Sequence, residues 1–157
     1  PRRHDVARQS AARGVRARAA APIDRLMTIP QRFPAAVPEI PVAAIDTAIE
    51  YYRSRLGFDF DWGGAEGGIA QVSRGDCRLF LTDAAFRAGR GNGTPVVIWL
   101  NLDSRDEVDA LFEAWSLAQA TIVSRPESMP WKLHEFTASD LDGNLLRVFY
   151  DFSRDGD

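Results

Sequence analysis

Cysteine is almost missing from this chain: Cys77 is the only one among 157 residues, so no intrachain disulfide can form and a reducing, cytoplasmic setting is expected. Histidine is scarce too. Only His4 and His134 are present, and a lone histidine without partners is weak ground for a metal site. No apolar run approaches the roughly 20 residues that span a bilayer, which excludes a membrane-crossing helix. No Gly-x-Ser-x-Gly elbow occurs, Ser73 has no histidine near it in sequence, and Cys77 begins a strand as a small core residue does. Gly89, Gly91 and Gly93 precede a strand rather than a helix and no Lys follows them, so a phosphate loop is not expected.

Net charge is −3, but it is unevenly spread. Residues 1–32 carry eight Arg against two acids, which leaves 11 basic against 20 acidic residues beyond them. An acidic body repels phosphate at long range, so nucleic acid is not an expected partner, whereas a neutral or cationic one is. The Arg- and Ala-rich stretch 1–32 has no convincing apolar stripe and is read as a disordered basic extension. With Met27 just before the first strand, translated upstream sequence is expected over an organelle leader or a nucleic-acid-binding arm.

Residues 33–157 then form a single domain, long enough for one substantial core. A strand from Ala36 to Val42, interrupted by Pro38 and Pro41, belongs at a sheet edge. Asp46 is read as the cap of a helix running to Leu56, with Ile45, Ile49, Tyr52 and Leu56 on one face and Gly57 as the stop. Three antiparallel strands follow: Phe58–Trp62, which alternates strictly, Ile69–Ser73, and Arg78–Thr82. The linker 83–94 leads to the same order again: strand Val96–Leu102, a helix from Ser104 to Gln119 with Val108, Leu111, Phe112 and Trp115 on one side, strand Ala120–Val123, and a hairpin. That hairpin joins His134–Ala138 to Leu145–Tyr150 through Asp142-Gly143-Asn144, where Gly143 can take the positive φ of the reversal. The chain is therefore α+β, βαβββ twice over, with modules 36–82 and 95–152, and a module too small to bury its own core must pack against its copy.

Ile40-Pro41-Val42, the helix Ala48-Ile49-Glu50-Tyr51-Tyr52-Arg53-Ser54-Arg55-Leu56-Gly57-Phe58, Gln71-Val72-Ser73-Arg74-Gly75 and Asp140-Leu141-Asp142-Gly143-Asn144 resemble the vicinal oxygen chelate superfamily of glyoxalases, extradiol dioxygenases and bleomycin-resistance proteins. The resemblance covers about Ala36 to Phe152. It implies that the two βαβββ modules form a curled sheet around a cavity, with the helices outside. Strand alternation then assigns faces: Val97, Trp99, Asn101, Leu145, Arg147, Phe149, Glu135 and Thr137 toward the cavity, and Ile98, Leu100, Leu146, Val148 and Phe136 under the helix. Superfamily enzymes hold a divalent metal at cavity-facing positions that here fall on Val37, Val97 and Arg147. Two hydrocarbons and a fixed cation cannot ligate one, so no metal and no cofactor is expected.

Phe58–Trp62, Gln71–Gly75 and Met129-Pro130-Trp131 are closest to the bleomycin-resistance branch, whose members sequester a bulky cationic glycopeptide in grooves shared by a dimer. The resemblance thus implies a non-catalytic homodimer that binds a bleomycin-type or other aromatic or cationic small molecule. Trp62, Phe80, Trp99, Trp131 and Phe149 would wall the site, with Asn101 beside them. Glu39 and Glu135 would offset positive charge, and Arg147, directly across the hairpin from Glu135, would orient it. Two alternatives stand beside this reading: a metal-dependent glyoxalase or dioxygenase, and a module that assists another polypeptide.

Overall fold

The alternation and periodicity of the chain resolve into ten elements in the computed structural model, which describes residues 35–88 and 93–156. They are β1 (Glu39–Pro41), α1 (Ile45–Ser54), β2 (Asp59–Gly64), β3 (Ile69–Arg74), β4 (Cys77–Thr82), β5 (Val97–Asn101), α2 (Arg105–Leu117), β6 (Thr121–Ser128), β7 (Leu133–Ser139) and β8 (Leu145–Asp151). The expectations for residues 1–32, and for the middle of the linker at 89–92, lie outside the described residues. Ala36–Asp157 gathers as one unit.

The strands make two four-stranded sheets with the same internal order, β1-β4-β3-β2 and β5-β8-β7-β6. In each, the first strand pairs parallel to the fourth and the rest are antiparallel. This is the expected duplicated βαβββ architecture. The two sheets are not joined by strand pairing, so β1 and β5 are both edge strands.

Local chemistry accounts for the elements, and in places it departs from what the sequence pattern suggests. α1 starts at Ile45 with Ala44 as its N-cap, and no side chain caps it. Asp46 instead lies in the first turn, where a carboxylate is favoured by the helix dipole. The helix closes through Phe58 N–H donating to the Tyr52 carbonyl at 2.9 Å, with Gly57 at φ +70°, a left-handed C-terminal stop. α2 is capped by the Ser104 hydroxyl, which accepts from Glu107 N–H at 3.2 Å, while Glu107 reaches back to Asp103 N–H at 2.8 Å. Ser104 followed by Glu107 is the sequence pattern of such reciprocal capping.

β1 is shorter than expected, because Pro38 has no N–H to give a ladder and the strand begins only after it. β2 does not alternate strictly: Phe60 pairs with Val72 and Trp62 with Gln71, leaving Asp61 as an extra residue. Its carboxylate compensates by accepting from Gln71 Nε2 at 2.8 Å and Ser73 Oγ at 2.9 Å. β6 runs to Ser128, five residues past its expected end. The final hairpin turns where expected, with Gly143 at φ +81°.

The core lies between each helix and its sheet. Tyr52, Leu56, Val72, Leu79, Val108, Phe136, Leu146 and Val148 are buried completely or nearly so, and Phe136 meets the rings of both Phe112 and Trp115 at 5.6 Å. Hydrogen bonds then lock one module to the other. Trp115 Nε1 donates to the Leu56 carbonyl at 3.0 Å, Arg55 donates to the Ala118 carbonyl at 2.7 Å, and Asn144 Nδ2 donates to the Pro41 carbonyl at 2.8 Å. Tyr51 OH donates to the Ser139 carbonyl at 2.9 Å and accepts from Thr121 N–H at 2.8 Å.

Tyr52 OH donates to Asp140 Oδ2 at 3.1 Å. Burial, then the Asp140 carboxylate beside it, hold this phenol well above its ordinary pKa of 10.0. A folded-state pKa above the unfolded one contributes stability that is complete below pH 10.0 and lost as pH rises beyond it. In an alkaline titration followed by ultraviolet phenolate absorbance, Tyr52 should therefore ionise together with loss of circular dichroism. Ionisation of all three tyrosines within an intact fold would contradict this.

Candidate functional site

Sheet parity decides which side chains leave the core. Along β5, Ile98 is buried, whereas Val97, Trp99 and Asn101 alternate onto the opposite face and are exposed. On β8 the same face carries Leu145, Arg147 and Phe149, and the parallel register sets Trp99 beside Arg147 and Asn101 beside Phe149. β7 adds Glu135 and Thr137.

Four of the expected site residues meet there. The Trp99 and Phe149 rings are 5.5 Å apart, edge to face. The Arg147 guanidinium carbon is 4.4 Å from the Trp99 ring centroid, within the range in which the ring's negative face attracts a cation. Arg147 also donates to Glu135, forming an ion pair. Glu135 is 4% exposed and Arg147 31% exposed, so the carboxylate is largely taken from water and depends on this partner. The two are not directly opposite, contrary to expectation: Arg147 faces Thr137 and Glu135 faces Phe149, so the pair is diagonal. Glu135 Oε2 and Arg147 Nε are buried and make no hydrogen bond.

The other expected residues stand elsewhere. Trp62 and Phe80 form their own pair on the first sheet, 5.7 Å apart. Glu39 lies in register with Phe80 and accepts from Thr82 Oγ1 at 3.1 Å. Trp131 stands half exposed on the β6–β7 turn, outside both aromatic pairs. His134 turns to the opposite face from Glu135, its Nδ1 at 2.9 Å from Ser128 Oγ and its Nε2 at 2.9 Å from Asp109 Oδ1 on α2. Cys77 is half-buried, and burial pushes its thiol above the ordinary range, away from the thiolate that reacts.

A feature that sequence reasoning missed is a groove of about 790 Å³ between the start of β4, the edge of β5 and α2. It reaches Trp99 and Asn101 but none of the other expected site residues. The available signal was the pair Ala110 and Ala114, small residues on the flank of an otherwise bulky helix.

The metal implied by the resemblance finds no fitting donors. Val37 precedes β1, Val97 is hydrocarbon, and Arg147 presents a fixed positive charge to Trp99 and Glu135. Among the described residues, no three His, Cys, Asp or Glu side chains come together. These residues do not fit a divalent ion.

Comparison with solved structures returns the same fold repeatedly. A glyoxalase/bleomycin resistance protein/dioxygenase from Nocardioides is similar at 19% identity with a TM-score of 0.64, covering 83% of this chain and 91% of that one. TioX from Micromonospora sp. ML1 is similar at 19% identity with a TM-score of 0.63, covering 75% and 99%. Lactoylglutathione lyase from Agrobacterium tumefaciens is similar at 19% identity with a TM-score of 0.60, covering 76% and 96%. At such identities the likeness concerns the fold alone. No curated protein matches the chain in sequence. Residues 32–148 match the family described as Glyoxalase/Bleomycin resistance protein/Dioxygenase superfamily, and since the sheets and helices repeat that family's paired βαβββ modules, the chain belongs to that superfamily.

Proposed function

We propose that this protein binds and sequesters a flat aromatic or cationic small molecule without transforming it, with a bleomycin-type drug as the first ligand to try. The observation that carries the reading is Trp99. Half of this large side chain is exposed on the face of the second sheet away from α2, with Phe149 at its edge and Arg147 against its ring. An exposed indole held by two neighbours is a rigid stacking surface that loses little side-chain entropy on binding. The acidic body favours approach of a cation, while the Arg147 beside the ring has its charge offset by Glu135. The donor set on the sheets supports a binding role over metal-assisted turnover, because no ligand cluster is at hand among the described residues.

A homodimer belongs to the same proposal. Phe60, Trp62, Val97 and Trp99 are each about half exposed, and a second copy would close a groove over such apolar faces. A reducing, cytoplasmic location is part of it too, on the strength of the single cysteine. No helix among the described residues is long and apolar enough to cross a membrane.

The test is a titration of the purified protein with bleomycin, following tryptophan fluorescence and the mass of the recovered drug. Fluorescence should be quenched saturably, the drug should return unchanged, and Trp99→Ala should weaken binding about tenfold or more, as loss of a stacking anchor does. Recovery of a converted product would remove the sequestration reading in favour of an enzyme.

A further inference from the structure

The groove beside β5 borders Trp99 but reaches neither Glu135 nor Arg147, and its chemistry differs from theirs. Its floor is apolar: Leu79 from β4, Ile98 and Leu100 from β5, and Leu111 and Trp115 from α2. The slot exists for two reasons. The two sheets are not joined by strand pairing, so β5 is an edge strand and borders the slot. On α2, Ala110 and Ala114 line the slot beside Glu107, Leu111 and Trp115, and their small side chains leave space where larger ones would close it. The polar group in the floor is already satisfied, since Trp115 Nε1 donates to the Leu56 carbonyl. The volume of about 790 Å³ falls within the roughly 300–1,000 Å³ of small-molecule clefts.

Four charged side chains ring the slot: Arg74, Asp76, Arg78 and Glu107. Arg74 donates to the Leu56 carbonyl at 2.7 Å, and Glu107 is turned to Asp103 N–H at the start of α2. Asp76 sits in the β3–β4 turn. Arg78 is exposed at the lip, and a guanidinium there offers several donors in a planar fork suited to a carboxylate. The acidic body slows the approach of an anion, so selection of a carboxylate here rests on its direct contact with Arg78.

We infer that this slot binds an amphiphilic monocarboxylate, its apolar body against Leu100, Leu102, Leu111 and Ala114, over the buried Leu79 and Trp115, and its carboxylate on Arg78. Burial of the chain supplies the affinity, and Arg78 selects the head group.

The test compares three ligands with the same ten-carbon chain, decanoate, decanol and decyltrimethylammonium, by isothermal titration calorimetry below the critical micelle concentrations of the two ions and the solubility limit of the alcohol. Decanoate should bind about fivefold more tightly than decanol, the scale of an exposed charge pair, and decyltrimethylammonium should bind most weakly. Arg78→Ala should make decanoate and decanol equal. Ala114→Trp, which fills the slot from an exposed helix position, should abolish all three while leaving the thermal midpoint within a few degrees. Tightest binding by decyltrimethylammonium would show that Asp76 and Glu107 set the sign, and would overturn the inference. Binding that survives Ala114→Trp would place the ligand elsewhere and would overturn it as well. No heat from any ligand, together with a dimer that Ala114→Trp converts to monomer, would mean that a second copy occupies the slot, which is equally incompatible with it. Trp99 borders both places, so bleomycin is titrated into Arg78→Ala and Ala114→Trp as well, and bleomycin binding that persists in both variants keeps the failure of one reading distinct from the failure of the other.

Discussion

Asp140→Ala should lower the unfolding free energy by about 3–5 kcal/mol, against a total of about 5–15 kcal/mol for a domain of this kind. Asp140 is 4% exposed and uses both oxygens. Oδ1 accepts from Asp142 N–H and Asn144 N–H, each at 2.9 Å. Oδ2 accepts from Tyr52 OH at 3.1 Å and Asn144 Nδ2 at 2.8 Å. Removing it strands the Tyr52 hydroxyl and the Asn144 amide in surroundings where both residues are wholly buried, and an unsatisfied buried donor costs more than the bond it replaces contributed. The damage would not stay local. Asn144 also holds the Pro41 carbonyl, and Val96 N–H donates to its Oδ1 at 3.0 Å, so the residue touches both modules and the lead-in to β5. Urea denaturation of the wild type and Asp140→Ala at neutral pH decides the matter. A loss below about 1 kcal/mol would show that the hairpin tip is not what holds the modules together.

Arg147→Ala should cost about 3 kcal/mol, while the double substitution Glu135→Met with Arg147→Met should come within about 1 kcal/mol of the wild type. The contrast follows from desolvation. Glu135 is 4% exposed, so removing its cation leaves a charge that is largely withdrawn from water and has lost its partner. Arg147 is 31% exposed, which tempers the loss, because solvent enters where the guanidinium stood. Replacing both partners with apolar side chains removes the buried charge together with its counter-charge. Arg147→Ala also uncovers the ring of Trp99, so its indole emission should shift to the red. Equal instability of the single and double variants would mean that Arg147 matters for packing on Trp99 rather than for the charge of Glu135.

Much of the molecule could be read from residue order alone. Both helices, the duplication and the faces of β5 and β8 came from periodicity, because a buried strand under a helix must alternate: Ile98 is buried and Trp99 is half exposed, as the pattern requires. Turn chemistry placed Gly57 and Gly143 correctly, since only a residue without a Cβ takes those positive φ values without strain. The sequence signal failed where pairing rather than pattern decides. The extra residue at Asp61 shows only in the register of β2 with β3. The start of α1 at Ile45, without a side-chain cap, follows from packing of Ile45 into the core rather than from the nearby Asp46. His134 could be assigned a face from the strand pattern, but not its partners, for Asp109 reaches it from a helix 25 residues away.

What residue order determined by itself is therefore local and alternating: which segments are helix or strand and which side of each strand is apolar; the resemblance added that the positions where related enzymes hold a metal carry hydrocarbon and a guanidinium here. What tertiary structure alone decided is how unlike segments meet. It made the Glu135–Arg147 pair diagonal rather than direct, gathered the Asp140 hydrogen bonds at the joint between modules, and opened the slot beside β5. The reason is physical: side-chain direction along a strand or helix is set by backbone geometry every two or 3.6 residues, whereas the space left between two packed modules depends on the volumes and polar partners of residues far apart in the chain.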